Sequence, residues 1–281
     1  MLVYKYVKPD GDDIIKNLRI KVSNVLDFND PFEFLPSIKE ITADDVLSHL
    51  VHNEDYLSYA HKLAIEEGRT NETYELFVER IQSPGRSEKL IEKLKKDLAR
   101  VLRETIERTR GETSKTALFA CFCGESVETH NEILMWSHYT DGHKGLRIAF
   151  DRDLLNIQGS AFLEINYEPN RLQYNPVEYW QGGIETIGNF YRKVLRTKSS
   201  AWAYEREHRW LVSPRICQKD DKILSVGIKP EAIVEVACGA RCSEERLAFI
   251  KNLVRDKFGD KVKVKRAVID DYEFRLNYVE C

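Results

Sequence analysis

The alternation of hydrophobic and polar positions predicts a chain that opens with strands. LVYKYV at the start and LRIKVSNV a little later follow the short period of a half-buried strand. The second runs into the loop DFNDPFEF, where Asn29, Asp30 and Pro31 impose a turn: the residue before proline is pushed out of the helical region and Asx side chains bond the backbone. From about Ile41 to Arg110 the period lengthens. DDVLSHLVHNEDYLSYAHKLAIEEG, TYELFVERI and SEKLIEKLKKDLARVLRETIERTR have helical apolar spacing with dense i,i+4 charge pairs, punctuated by Gly68 and by Ser83-Pro84-Gly85. TALFACFC returns to strand, NEILMWSHYTD is predicted as a short amphipathic helix, and GLRIAFD and FLEINYE as strands. PVEYWQGGIETIGNFYRKVLR is read as largely helical; EHRWLVS, KILSVGI, AIVEVACG, VKVKRAVI and FRLNYVE complete the strands, with the helix SEERLAFIKNLVRDKF among them. The expectation is an α+β fold: a strand-rich mixed core forming one domain over residues 1–281, with a helical insertion or subdomain near residues 41–110.

Composition narrows the classes. A chain of 281 residues with 42% hydrophobic and 10% aromatic content can bury a substantial core. Its charged residues sum to a net charge of -3 and the pI is about 6.2, so no overall basic field supports a nucleic-acid partner. The mixed charges of residues 41–110 read as a solvated helical face, with a protein partner as its candidate role. There is no signal-like N-terminus and no run of about 18 apolar residues, which predicts a cytoplasmic protein with no membrane span. The six cysteines lack the C-x-x-C spacing of a structural zinc site, and Cys121 and Cys123, on one face of ALFACFC, read as buried thiols. No phosphate-binding glycine motif and no internal repeat occurs.

Three clusters carry candidate chemistry. In WAYEREHRW, residues 202–210, an extended backbone puts Glu205, Glu207 and Arg209 on one face and Arg206 and His208 on the other, framed by Trp202, Tyr204 and Trp210. This is either a partly closed site or a surface ion pair. In MWSHYTDGHKG, residues 135–145, Glu132 and Trp136 are four apart, as are Met135 and Tyr139, while His138 and His143 fall at the helix end and in a glycine-flanked loop. Both histidines suit acid/base or ligand roles, and both suit a helix C-terminus for purely local reasons. In FNDPFEF, Phe28, Phe32 and Phe34 seat the turn on a core.

Taken in order, YKY, DFNDPFE, the strand ending in CFC, ILMWSHYTDGHKGLRIAF, KSSAWAYEREHRWLV and IVEVACGARCSEE resemble the bacterial and archaeal family catalogued as domain of unknown function 2971, whose members show YKY, FNDPFE, MWSHYAxxHKG and K-S-x-x-W-x-Y-E-x-E-x-R in succession. The resemblance spans nearly all of the chain outside residues 41–110 and implies a prokaryotic defence or toxin-type effector. A more distant likeness is to ADP-ribosyltransferase-type folds: Tyr4, Lys5 and Tyr6 match their first-strand position, the loop around Phe28 to Phe32 their aromatic segment, and Glu205-x-Glu207 the glutamates that open a later strand. That likeness implies cleavage of an N-glycosidic bond with NAD as cofactor or substrate.

On that reading Glu207 stabilises the oxocarbenium-like charge, Glu205 orients or deprotonates the acceptor, and His138 is the third catalytic candidate. Lys5 or Arg209 neutralises a phosphate and Tyr6 or Trp136 stacks on a ring. Asn29, Asp30, His143, Lys144, Lys198, Trp202 and Tyr204 complete the expected ligand-binding set. Two alternatives stay open. One is a metal-dependent nuclease or phosphoesterase using His138, Asp141, His143 and Glu205 or Glu207, its metal unspecified. The other is a non-enzymatic sensor or interaction module, in which the helices of residues 41–110 bind a protein partner and the core binds a ligand, such as a nucleotide or dinucleotide, without reacting.

Overall fold

The computed structural model describes residues 1–42, 45, 52–83, 87–124, 129–175, 185–186, 188–220 and 223–281. The helical pattern read over 46–51, the Pro84-Gly85 turn and the PVEYWQGG stretch lie outside the described residues.

The strands are β1 (Leu2–Val7), β2 (Arg19–Val22), β3 (Ser37–Ile38), β4 (Leu118–Gly124), β5 (Leu146–Asp151), β6 (Ser160–Glu164), β7 (Asn166–Glu168), β8 (Gln173–Tyr174), β9 (Thr197–Ser199), β10 (Glu207–Val212), β11 (Gln218–Asp220), β12 (Ile223–Gly227), β13 (Ile233–Cys238), β14 (Lys263–Ile269) and β15 (Leu276–Glu280). The α-helices are α1 (Asp13–Asn17), α2 (Glu54–Glu66), α3 (Tyr74–Gln82), α4 (Ser87–Thr116), α5 (Thr129–Tyr139), α6 (Arg152–Leu155) and α7 (Glu244–Phe258). The architecture is α+β. FLEINYE, read as one strand, is two: Ile165 separates β6 from β7, which pair with different partners, β10 and β9.

The chain divides into two compact units. The first comprises Met1–Phe34, Gly111–Asn170 and Arg196–Cys281. Its centre is an eight-stranded sheet in the order β15-β14-β13-β5-β1-β4-β10-β6, antiparallel except where β13 and β14 run parallel. A smaller sheet, β11-β12-β2, and the parallel pair β7-β9 belong to the same unit. The two faces of the large sheet differ because side chains alternate along each strand. Val3 of β1, Ala120 and Phe122 of β4, Ile148 and Phe150 of β5, Trp210 of β10 and Val236 of β13 share one apolar face, covered by Leu247, Ile250 and Val254 of α7. That helix is capped by Ser243, whose side chain accepts from the Arg246 N–H, and has Glu244 and Glu245 in its first turn, where the dipole favours anions. The opposite face is mixed: Tyr6, Cys123 and Ala237 pack with Met135 and Trp136 of α5, and charged residues stand among them.

The second unit comprises Leu35–Arg110 and Arg171–Leu195. Asn53 caps α2 by accepting from the Tyr56 N–H, and Thr73 caps α3 from the Leu76 N–H. Leu57, Ala64 and Phe77 form one small core; Ile41, Ile91, Leu102 and Tyr174 form another beside the parallel pair β3-β8. Among the described residues no helix is long and apolar enough to cross a membrane.

Where α5 turns into β5, the chain folds back tightly. Asp141, Gly142 and His143 all adopt positive φ, and Gly145 donates to the Thr140 carbonyl at 2.8 Å. A Cβ on Gly145 would stand 2.0 Å from the Val7 carbonyl oxygen, an atom the sheet cannot move. Gly111, inside α4, has no neighbour in that position. Gly145→Ala is therefore expected to destabilise the protein by at least about 2 kcal/mol, whereas Gly111→Ala should stabilise by about 0.5–1 kcal/mol. Urea denaturation of both variants checks the pair, and a neutral Gly145→Ala would refute the close approach.

Candidate functional site

The mixed face brings together all three sequence clusters. The extended reading of WAYEREHRW holds only from Glu207 onward. Ser200–Glu205 is a 3-10 helix, capped by the Ser199 side chain, and Arg206 takes a left-handed conformation with φ 43° before β10 begins. Glu205 thus reaches the Glu207–Arg209 face by a turn rather than by strand alternation. Glu207 pairs with Cys123 and Arg209 with Cys121 across β10 and β4, so these side chains share the face. Lys198 enters from β9, whose partner residue on β7 is Tyr167. The Tyr167 hydroxyl accepts from the Glu207 N–H at 2.7 Å.

Lys198 is the centre of the cluster. Its Nζ lies 2.6 Å from Glu205, 3.2 Å from Glu207 and 3.0 Å from Glu33, the glutamate of FNDPFEF. Arg209 donates through Nε and Nη2 to both oxygens of Glu207, at 2.8 and 3.1 Å, and lies 3.5 Å from Glu33. Phe28 and Phe34 flank its guanidinium. Arg209 is 0% exposed and Glu207 3%, which removes the surface-ion-pair reading. The helix α5 closes the group: the Tyr139 hydroxyl donates to Glu205, and His138 Nδ1 lies 3.0 Å from the Tyr204 hydroxyl.

Glu207 and Glu33 are not equivalent. Burial alone would raise the Glu207 carboxyl, but Arg209 and then Lys198 outweigh it and hold it at about 2. For Glu33 burial wins over Arg209 and Lys198, and its carboxyl is held above the usual range. Glu33 lies close to both cations yet neither of its oxygens makes a hydrogen bond. Burial would lower Lys198; Glu207, Glu33 and Glu205 reverse this and keep its ammonium charged far above the ordinary lysine range. Of Glu33 and Glu207, Glu33 is the first to accept a proton as pH falls.

Beside this cluster lies a cavity of about 160 Å³. Glu205, Glu207 and Lys198 form its charged wall, Tyr4, Tyr6, Phe28 and Tyr139 its aromatic walls, and Lys5 and Asn29 also line it. A cavity of about 150 Å³ accommodates one benzene-sized ring, and pockets for larger organic ligands run to several hundred. Behind Tyr6 a second buried group fixes the wall: Glu132 accepts from the hydroxyls of Tyr6, at 3.0 Å, and Tyr278, and pairs with Arg147.

Not every expected ligand residue reaches the cavity. Trp136 is fully enclosed: its Nε1 donates to Tyr278 at 3.0 Å, and its ring meets Tyr6 edge-on and stacks on His143, so it offers no face to a ligand. Asp30 is buried and holds its own turn, accepting from the Phe32 N–H at 2.8 Å. Lys144 is exposed and pairs with Asp141, while Trp202 lies over Lys198. His143 contacts Ser137. Glu33, Tyr139 and Tyr167 were absent from the expected set. Glu33 carries one usable sign, a carboxylate between Phe32 and Phe34, and Tyr139 follows Met135 by one helical turn; Tyr167 has no local signal.

A family model described as "Protein of unknown function (DUF2971)" matches residues 135–210. Over that stretch, which holds Tyr139, Lys198, Glu205, Glu207 and Arg209, the chain is similar to that family. No curated protein and no solved structure matches.

The unequal carboxylates generate a test. Glu33→Gln leaves two anions facing two cations, and neutral-pH stability should equal or exceed that of the parent, because the cost of ionising a buried carboxyl disappears. The difference should shrink as pH falls through the carboxylate range, where parent Glu33 becomes protonated. Glu207→Gln removes the carboxylate that engages the fully buried Arg209 through two hydrogen bonds and should cost about 3–5 kcal/mol at neutral pH. The Glu207 contribution has the opposite sign: present above the ordinary carboxyl range, it fades as pH drops toward about 2. Urea midpoints from pH 3 to 8 read both effects; equal losses for the two variants would contradict the assignment.

Proposed function

We propose that the protein is an N-glycosidic-bond enzyme with ADP-ribosyltransferase-like or NAD-glycohydrolase-like chemistry, acting in the cytoplasm of a prokaryotic cell as a defence or toxin-type effector. The observation that carries the chemical part is a carboxylate, Glu205, on the wall of a ring-sized aromatic cavity, held by the Tyr139 hydroxyl and by Lys198. The cavity takes the base ring of an N-ribosyl compound, NAD among them, between the tyrosines. Its size leaves the ribose and phosphates outside.

Cleavage of the bond between ring nitrogen and ribose develops positive charge on the sugar. A preorganised carboxylate in a water-poor site stabilises that charge without reorganisation. Glu207, expected to take this part, has both oxygens engaged by Arg209 and a further contact from Lys198. Glu205 is held by Tyr139 and Lys198 without the bidentate guanidinium that neutralises Glu207, so the sugar-facing role falls to Glu205 and Glu207 fixes Lys198 and Arg209. The Tyr139 hydroxyl, which burial and Glu205 keep protonated, donates to Glu205 and orients its carboxylate on the cavity wall.

The metal-dependent reading has less support, since among the described residues no group of three or more His, Cys, Asp or Glu side chains is placed to hold an ion. The space between the carboxylates is filled by Lys198 and Arg209. Ring binding without turnover is the second reading, favoured by the extent to which the carboxylates are already neutralised.

Purified protein incubated with NAD should release free nicotinamide, and Glu205→Gln should reduce the rate by about 10²–10³-fold with an unchanged circular dichroism spectrum. Stabilisation of the protein by nicotinamide with no release from NAD would establish the binding reading instead. Neither stabilisation nor release would refute both.

A further inference from the structure

The same cavity is lined by two lysines in opposite electrostatic states. Lys198 is surrounded by three carboxylates. Lys5, on β1, has no ion pair among the described residues: its Nζ donates to the Cys121 carbonyl at 3.0 Å and lies 5.2 Å from the centre of the Phe122 ring. The strand register explains how the amine comes to be there. Alternation sends Lys5 to the Phe122 side of the sheet, but β1 and β4 pair only at Val3–Gly124 and Tyr4–Cys123 and then part, so its amine meets the Cys121 carbonyl where a β1 N–H would otherwise stand, and Lys5, Cys121 and Phe122 all line the cavity. A lysine stem rarely places its amine in such surroundings without a carboxylate to hold it as ammonium.

We propose that Lys5 is a reactive amine, which binds aldehydes or ketones of single-ring size in this cavity as a reversible imine. The inference stands independently of the N-glycosidic reading. It gives Lys5, a candidate phosphate contact on that reading, a different part, and it names a different ligand class, compact aromatic carbonyl compounds. The step needs no oxidant. The nitrogen lone pair attacks the carbonyl carbon, a carbinolamine forms, and the carbonyl oxygen departs as water with the two hydrogens of the amine, leaving a carbon–nitrogen double bond.

The surroundings favour the free-base form that this attack requires. Burial lowers the Lys5 amine below its ordinary range; the Cys121 and Cys123 thiols of β4 and Glu207 of β10 oppose the shift, and Lys21 of β2 adds to it. Each unit of lowering raises the free-amine fraction near neutrality about tenfold. By contrast, Lys198 is kept charged by its three partners and is no competitor for a carbonyl.

The test uses the intact protein at pH 7 with pyridine-3-carbaldehyde and cyanoborohydride, followed by peptide mapping. Reduction locks any imine as a secondary amine. The expected result is label accumulating on Lys5 ahead of exposed lysines such as Lys8 and Lys251. Pyrene-1-carbaldehyde, too large for the cavity, should label Lys8 and Lys251 and leave Lys5 unmodified. Lys5→Arg, which keeps a donor for the Cys121 carbonyl, should lose the selective label while holding the fold. Lys5 left unmodified by the one-ring aldehyde, or labelled no faster than Lys8, would show that it only holds the parted strands and would overturn the proposal. Labelling by both aldehydes at equal rates would place the amine outside the cavity and overturn it as well.

Discussion

Burial of the Lys198 ammonium among Glu33, Glu205 and Glu207 is the constraint on which the mixed face depends. An ammonium taken out of water costs several kcal/mol unless charge and hydrogen bonds replace what the solvent supplied. Here the replacement comes to β9 from two segments far apart in sequence: the turn after Pro31, and the junction of the 3-10 helix with β10. Through Tyr139 it extends to α5, and through Tyr167 to β7. Such a cluster adds little net stability over an apolar one of equal volume. Its consequence is specificity, because any packing that displaces one member strands the others.

The rest of the sheet makes that arrangement feasible. Alternation along the strands sends Phe122, Phe150, Trp210 and Val236 to one side, where α7 covers them, and leaves the other side free for polar residues. The mixed side is then divided by α5, whose Glu132 enters one ionic group with Arg147 and whose Tyr139 enters the other with Lys198. One short helix therefore fixes the spacing between two buried charge networks, and the cavity lies where Tyr6 of the first approaches Glu205 of the second. The tight return at Asp141 to Gly145 sets where that helix ends.

Much of this organisation was legible in the residues because it rests on local rules. The strand runs from LVYKYV to FRLNYVE and the helix of SEERLAFIKNLVRDKF follow period and capping, and both signals act within a few residues. The common face of Glu207 and Arg209 follows from strand geometry alone. The position of Glu205 does not, since Arg206 reverses the backbone in a conformation that an arginine rarely adopts. Glu33 was hidden for a different reason. The turn it follows has a complete local explanation in Asp30 and Pro31, and only the distant Lys198 gives its carboxylate a purpose. Tyr167 is placed by the short parallel pairing of β7 with β9, a long-range contact that leaves no trace in local pattern. Trp136 shows the converse: its spacing from Glu132 puts both on one face of α5, and that face is buried, with the Trp136 ring against Tyr6 and His143.

The partition of protons inside the site follows from the same geometry. Glu207 has two cations aligned with its oxygens and stays ionised; Glu33 has the same cations nearby but poorly aligned, and burial prevails. Distance alone would have ranked the two more closely than they stand. Lys198 and Lys5 repeat the contrast with the sign reversed: one amine is matched to carboxylates, and the other is directed at a main-chain carbonyl and an aromatic ring. The small cavity thus has a fixed anion and an ammonium on one wall and, on another, an amine matched to no carboxylate. That polarity is produced by how strands β1 and β4 part and how β10 begins, so the chemistry available to the site is set by backbone register before any ligand arrives.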